Sequence, residues 1–275
     1  MAQNLSQPLL CRVIQLTAAL EERTASEAVF SRPNEVEGGS KVDSGSKATA
    51  VYIDGYNLYY GRLRGSPHKW LDVVTLFDQL VRVQDPSSVV HKVHFFSAPA
   101  LGQFASHGES SVAAQESYHR ALENRHPERF MKTLGAHAYD KHGTALPLFI
   151  PGAPYDRALT ARVWRLVEKK TDVNLALAMY RDAVAGRFRQ LVLCSNDSDA
   201  EPALAAIRVD CPSVMIGVVT PVRPPDAGDR RRVSASLARH AHWTRHHILD
   251  AELDAAQLPD CVPTRRKPVL RPAHW

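Results

Sequence analysis

Residues 191–199 read Leu191-Val192-Leu193-Cys194-Ser195-Asn196-Asp197-Ser198-Asp199. Four apolar residues bounded by polar turn formers make a buried strand, and the two aspartates stand where that strand opens into a helix beginning near Ser198. Two earlier stretches have the same character. Val51-Tyr52-Ile53-Asp54-Gly55-Tyr56-Asn57 is again an apolar strand ending in an acid, and Lys169-Lys170-Thr171-Asp172-Val173-Asn174 is an acid opening an apolar helix. The expectation is that the fold brings Asp54, Asp172, Asp197 and Asp199 together.

Working outward from these stretches, hydrophobic periodicity places further strands near 89–96, 134–139, 213–219 and 243–248. Helices are expected near 71–82 behind a cap at Asp72, at 109–125, from Asp172 to a stop at Gly186, at 198–208 and at 233–240. Residues 143–156, rich in Pro and Gly, read as a surface loop. The segment 158–168 fits neither period cleanly, with a strand ending near Glu168 preferred. Strands alternating with helices indicate an α/β fold, a three-layer arrangement with a mainly parallel sheet covered on both faces. In such sheets ligands sit beyond the carboxyl ends of the strands, at a switch in strand order, and Asp54 and Asp197 both fall at such ends.

At 275 residues and 44% hydrophobic content the chain can bury one substantial core. Residues 1–47 read as an N-terminal extension, 48–250 as the domain, and 251–275, with four prolines and the basic run Arg265-Arg266-Lys267, as a C-terminal tail. A net charge of +5 leans towards a polyanionic partner. Cys11, Cys194, Cys211 and Cys261 show no close metal-type spacing and suit reduced thiols in a cytoplasmic protein. No run approaches the roughly 18 to 20 apolar residues of a membrane span, and Arg12 interrupts the apolar stretch 8–20, so neither a membrane nor a signal peptide is expected.

Carboxylates converging at one edge of a sheet repel one another unless a cation neutralises them. An all-oxygen site suits Mg²⁺ or Mn²⁺, which would lower the pKa of a bound water and stabilise charge on a phosphodiester under attack. Each acid also has a purely structural role open to it. Asp54-Gly55 is a turn signal, Asp172 a helix cap, and Asp197 and Asp199 caps of the helix after the strand.

Taken together, VYIDGYNLYY (51–60), EKKTDVNLALA (168–178) and LVLCSNDSDAEPAL (191–204) resemble the NYN domain, a family with a PIN-like nuclease fold. The motifs in question are Asp-Gly-x-Asn after the first strand, Lys-Gly-x-Asp-Val at a helix start and Ser-Gly-Asp-x-Asp at a strand end. They match in order and spacing across about residues 48–250. The resemblance implies metal-dependent RNA cleavage, with Asp54, Asp172, Asp197 and Asp199 as acidic ligands and Asn57 and Ser195 as supporting polar groups. This sequence departs from the pattern at Lys170 and Asn196, where glycine is common, and at Ala200, where an aromatic is common. The glycine positions matter if the backbone there needs positive φ.

An RNA backbone would find Arg230, Arg231 and Arg232, along with Arg62, Arg64, Arg157, Arg162, Arg165, Arg239 and Arg245. Bases would find Tyr56, Tyr59, Tyr60 and Trp70 for stacking. The histidines at 240, 242, 246 and 247 cannot all face one point and read as solvated or satisfied side chains. Pairing into a homodimer is left open by the residues.

Two other functions compete with a Mg²⁺/Mn²⁺-dependent ribonuclease. One is an RNA-binding or regulatory protein that keeps the fold without turnover. The other is a flavin- or NADH-linked hydroxylase, because some proteins similar to this family carry the name 6-hydroxy-3-succinoylpyridine hydroxylase. Against the latter, no Gly-x-Gly-x-x-Gly follows a strand, so no dinucleotide site is legible.

Overall fold

Alternation along the central strands decides how the sheet is covered. In the computed structural model, which describes residues 46–224 and 234–275, strand β1 (Lys47–Asp54) turns Val51 and Ile53 to one face and Ala50 and Tyr52 to the other. Strand β8 (Gln190–Cys194) does the same with Val192 and Cys194 against Leu191 and Leu193. Both strands are buried on both faces, as a sheet between two helical layers requires.

Between them in sequence lie α1 (Gly55–Leu58), running into a π-helical turn at Tyr59–Leu63, then α2 (Val73–Gln84), β2 (Ser88–Ser97), α3 (Glu109–Arg125) and β3 (Phe130–Leu134). Four short strands follow, β4 (Ala136–Ala138), β5 (Thr144–Pro147), β6 (Thr160–Val163) and β7 (Val167–Lys169), before α4 (Thr171–Val184) leads to β8. The chain then continues through α5 (Glu201–Asp210), β9 (Met215–Val219), α6 (Ala235–His240), β10 (Trp243–Arg245), α7 (Asp250–Ala255), β11 (Cys261–Val262) and β12 (Val269–Leu270). The central sheet has the order β10-β9-β8-β1-β2-β3, with every neighbouring pair parallel. The chain builds outward from β1 to β3 and then crosses back to β8, so the order reverses between β1 and β8. The protein is thus an α/β structure with a six-stranded parallel sheet and a helical layer on each face.

Local chemistry explains several element ends. Asp72 caps α2 by accepting from the Val74 and Thr75 N–H groups, both at 3.1 Å, and the buried carboxylate also meets Arg125 and His126. Gly186 closes α4 with φ 62. Of the two positions where the resemblance expects glycine, Lys170 takes the left-handed conformation with φ 74, whereas Asn196 does not.

Three sequence expectations are corrected and one is refined. The strand at 134–139 is two strands, because the chain turns out of the sheet at Gly135, whose N–H reaches the Ser97 carbonyl at 2.7 Å. Residues 143–156 are not loop throughout: β5 pairs antiparallel with β6 in an arm that leaves Phe149 84%, Tyr155 79% and Trp164 63% exposed. The ambiguous 158–168 segment has the strand expected to end near Glu168, β7 (Val167–Lys169), preceded by β6. Residues 251–275 are packed rather than trailing, since Leu253, Ala256, Leu258, Val262 and Val269 are buried in the core cluster below β1 and Trp275 packs on it. The extension up to residue 45 and Arg230–Arg232 lie outside the described residues. Among the described residues no helix is long and apolar enough to cross a membrane.

Candidate functional site

The carboxyl edge of the sheet carries two adjoining environments. The first is acidic and lies at the reversal of strand order. Asp54 ends β1 and is 6% exposed; it accepts from the Asn57 N–H at 2.9 Å and from the Ser195 hydroxyl at 3.2 Å. Asn57 in turn accepts from the Asn196 N–H at 3.0 Å, tying the turn after β1 to the turn after β8. The Ser195 hydroxyl accepts from the Asp197 N–H at 3.0 Å, and Asp197 caps the next turn by accepting from the Asp199 N–H at 3.1 Å.

Burial pushes the Asp54 carboxyl up from 3.8 to about 7; the Asn57 and Ser195 hydrogen bonds hold it down, and the charges of Asp172 and Glu168 add to the rise. Asp172, in the first turn of α4, is raised by partial burial and then by the charges of Asp197 and Asp199. The four aspartates therefore share one electrostatic neighbourhood. Glu168 joins them, itself raised by burial; the sequence marked it as the end of a strand and not as a site residue. Pairing of β7 with β4 sets Glu168 opposite His137.

The second environment is a cavity of about 460 Å³ on the β1–β2 side of the same edge. Its walls come from α1, the ends of β2, the turn before α3, α3 itself and the last residues of the chain. Tyr56 stacks on Tyr60 with centroids 5.8 Å apart and meets the edge of His137 at 5.8 Å. The Tyr56 hydroxyl donates to the Ala98 carbonyl at 3.2 Å. Its phenol is raised by burial and then by the charge of Glu168, so Tyr56 is the side chain that both lines the cavity and feels the acids.

Two imidazoles of the lining, His119 and His137, are pushed towards the neutral form. Burial and then Lys132 lower His119 to about 4. Burial also lowers His137, whose Nδ1 donates to the Pro99 carbonyl at 3.0 Å. Such a lining of aromatic rings with a few placed polar groups suits a small planar ligand, and the volume falls within the range of roughly 300 to 1,000 Å³ typical of ligand pockets.

Fold and site thus define a parallel α/β protein with an aromatic small-molecule cavity beside an acidic sheet edge. Comparison with known proteins makes the family definite. The chain is 37% identical over 253 residues to 6-hydroxy-3-succinoylpyridine 3-monooxygenase HspA of Pseudomonas putida, covering 86% of this chain and 77% of that protein, and it belongs to the family of that enzyme. A crystal structure of a protein of unknown function from Vibrio parahaemolyticus is also similar, with a TM-score of 0.44 and 16% identity, covering 76% of this chain and 96% of that one. No family model matches the sequence.

These findings overturn the expectation of a metal-dependent ribonuclease and, with it, of Mg²⁺ or Mn²⁺ as cofactor. The relative is an oxidoreductase. Among the described residues, moreover, no group of three or more His, Cys, Asp or Glu side chains is arranged to hold a metal ion. In their place the hydrogen bonds show a structural use of these acids: Asp54 accepts from the Asn57 N–H and the Ser195 hydroxyl, and Asp197 from the Asp199 N–H. The RNA-backbone contacts expected at Arg230, Arg231 and Arg232 lie outside the described residues.

Proposed function

We propose that this chain is a monooxygenase-type hydroxylase of a small hydroxylated heteroaromatic compound. The observation that carries the reading is the 37% identity to a 6-hydroxy-3-succinoylpyridine 3-monooxygenase along 86% of the chain. The cavity supports it, since a pyridine ring is the kind of planar group that stacked tyrosines and neutral imidazoles accept. The acidic edge has a use in the same chemistry. A ring hydroxyl that loses its proton makes the ring richer in electrons, and Asp54, titrating at about 7 next to the cavity-lining Gly55 and Tyr56, is suited to take up and return that proton.

An oxygenase also needs a reductant, and a resident dinucleotide does not fit the sheet edge. The N–H groups that would meet a pyrophosphate after β1 and β8 are already taken by the Asp54 and Asp197 carboxylates. Gly55 opens no phosphate cradle either: a Cβ there would lie 2.6 Å from the Phe95 ring, so its missing side chain serves packing against β2. The chain's own residues accordingly bind and orient the ring, shield it from water and hold protons.

Within the α/β class, we read the scaffold as PIN-like. The supports are the placement of Asp54 at the end of β1, Asp172 in the first turn of α4 and Asp197 after β8.

The test is turnover of 6-hydroxy-3-succinoylpyridine by the purified protein under isotopically labelled dioxygen, with NADH, NADPH or a reduced flavin supplied in turn. Substrate-dependent consumption of one reductant with label in the product is the expected result. Absence of both with all three reductants refutes the reading.

A further inference from the structure

Charge is divided unevenly along the carboxyl edge. Asp54, Asp172, Asp197, Asp199 and Glu168 share the neighbourhood of the β1–β8 reversal, whereas the cavity beside it contains no aspartate or glutamate among its lining residues. Its charged groups are both cations, Arg64 and Lys69, at the two ends of the loop that leaves the π-helical turn. Neither forms an ion pair among the described residues. Arg64 instead lays its guanidinium over the Tyr60 ring at 5.5 Å from the centroid.

A half-buried lysine in a ligand cavity gives up hydration that no protein carboxylate restores here. Beside it stands His274, which also lines the cavity and whose buried Nε2 has no hydrogen-bond partner. Burial, then His107 and Lys69, keep that imidazole neutral. The lining therefore combines two cations and a buried imidazole nitrogen without a hydrogen-bond partner with the stacked tyrosines and His137.

We infer that the cavity takes a planar aromatic ring bearing a carboxylate arm, with the carboxylate held by Arg64 and Lys69 and the ring against Tyr56 and Tyr60. This rests on the hydroxylase reading and deepens it, naming the anionic arm as the feature selected and the two cations as its receptors. A guanidinium and an ammonium on one carboxylate form charge-assisted hydrogen bonds, which are stronger than neutral ones. Fixing the arm also sets which ring atom faces Tyr56 and the proton-holding acids.

Binding is measured by calorimetry, with neither reductant nor turnover, for 6-hydroxy-3-succinoylpyridine and for its neutral carboxamide. The wild type is expected to bind the acid at least tenfold more tightly than the amide. The double substitution Arg64→Gln with Lys69→Gln should erase that preference by lowering acid affinity at least tenfold more than amide affinity, and Lys69→Arg with Arg64→Gln should restore part of it. Circular dichroism and thermal unfolding verify that the variants are folded. Equal affinities for acid and amide in the wild type, no binding of either, or an acid affinity unaltered in the double variant would each overturn the inference. The two readings fail separately. Cation-dependent binding without oxygen incorporation sinks the hydroxylase reading alone, and turnover with a KM indifferent to both substitutions sinks this one alone.

Discussion

Replacing Asp54 by Asn should stabilise the protein at neutral and alkaline pH, against the usual direction for a buried, hydrogen-bonded residue. Burial raises the Asp54 carboxyl from 3.8 to about 7 in the folded chain. Because the folded state then holds a proton that the unfolded state has released, stability falls as pH rises from about 4 to about 7, and the loss is complete above that range. The interval corresponds to roughly 4 kcal/mol. Asparagine keeps the shape and is neutral at every pH, so it escapes that cost. It accepts less well from the Asn57 N–H and the Ser195 hydroxyl, a loss of about 1 kcal/mol. The variant should therefore be more stable than wild type by about 3 kcal/mol near pH 8 and equal or slightly weaker near pH 4. Urea unfolding followed by tryptophan fluorescence at several pH values measures both limits. A variant less stable than wild type near pH 8, or a wild-type profile whose slope the substitution leaves unchanged, refutes the account of a strained buried carboxylate.

Other consequences can be checked by unfolding experiments. Gly55→Ala would put a Cβ 2.6 Å from the Phe95 ring and 2.8 Å from the Phe96 carbonyl oxygen, and should cost about 1–3 kcal/mol by displacing β2; unchanged stability would mean the contact is soft. Lys170→Gly removes a side chain from a backbone at φ 74 and should raise stability by up to about 1 kcal/mol, with a drop showing that the lysine is held by something else. Leu253→Ala, at a fully buried position in the segment that reads as a tail, should cost about 2–5 kcal/mol, whereas a true tail residue would cost nothing measurable. Tyr52→Phe takes from Asp182 a buried hydroxyl donor at 2.6 Å and should cost about 1–3 kcal/mol in thermal unfolding, a neutral result showing that Lys92 and Arg187 satisfy Asp182 unaided.

How much of this was legible in the sequence depends on how local the signal is. Leu191–Cys194 and Val51–Ile53 announce themselves because a strand buried on both faces must be apolar at every position, and the acids at their ends mark the sheet edge. The β5–β6 arm was hidden by the same logic. Most of its large apolar residues are exposed, so apolar positions do not mark an inner face, and its Pro and Gly residues mimic a loop. In 251–275, four prolines and a basic run masked Leu258, Val262 and Val269, which are buried through long-range packing that no local period records. The site was half visible. Asp54, Asp172 and Asp197 stood out as acids at element ends and do share one electrostatic neighbourhood, but the cavity did not stand out, because its walls come from segments more than two hundred positions apart. The chemistry was misread for a further reason: strand-end acids describe a scaffold, and one scaffold carries many reactions.

That spread has a consequence for synthesis. The floor of the cavity is made early, at Tyr56 and Tyr60, but its rim includes His274 and Trp275, with Trp275 packing on Trp70 and Tyr118. As the chain leaves the ribosome, the parallel sheet can assemble once β10 has emerged, yet the binding chamber stays open until some thirty further residues have been added and docked. A nascent chain could thus pair its sheet before residues 251–275 complete the core under β1 and close the cavity, and its aromatic interior would face solvent in the meantime.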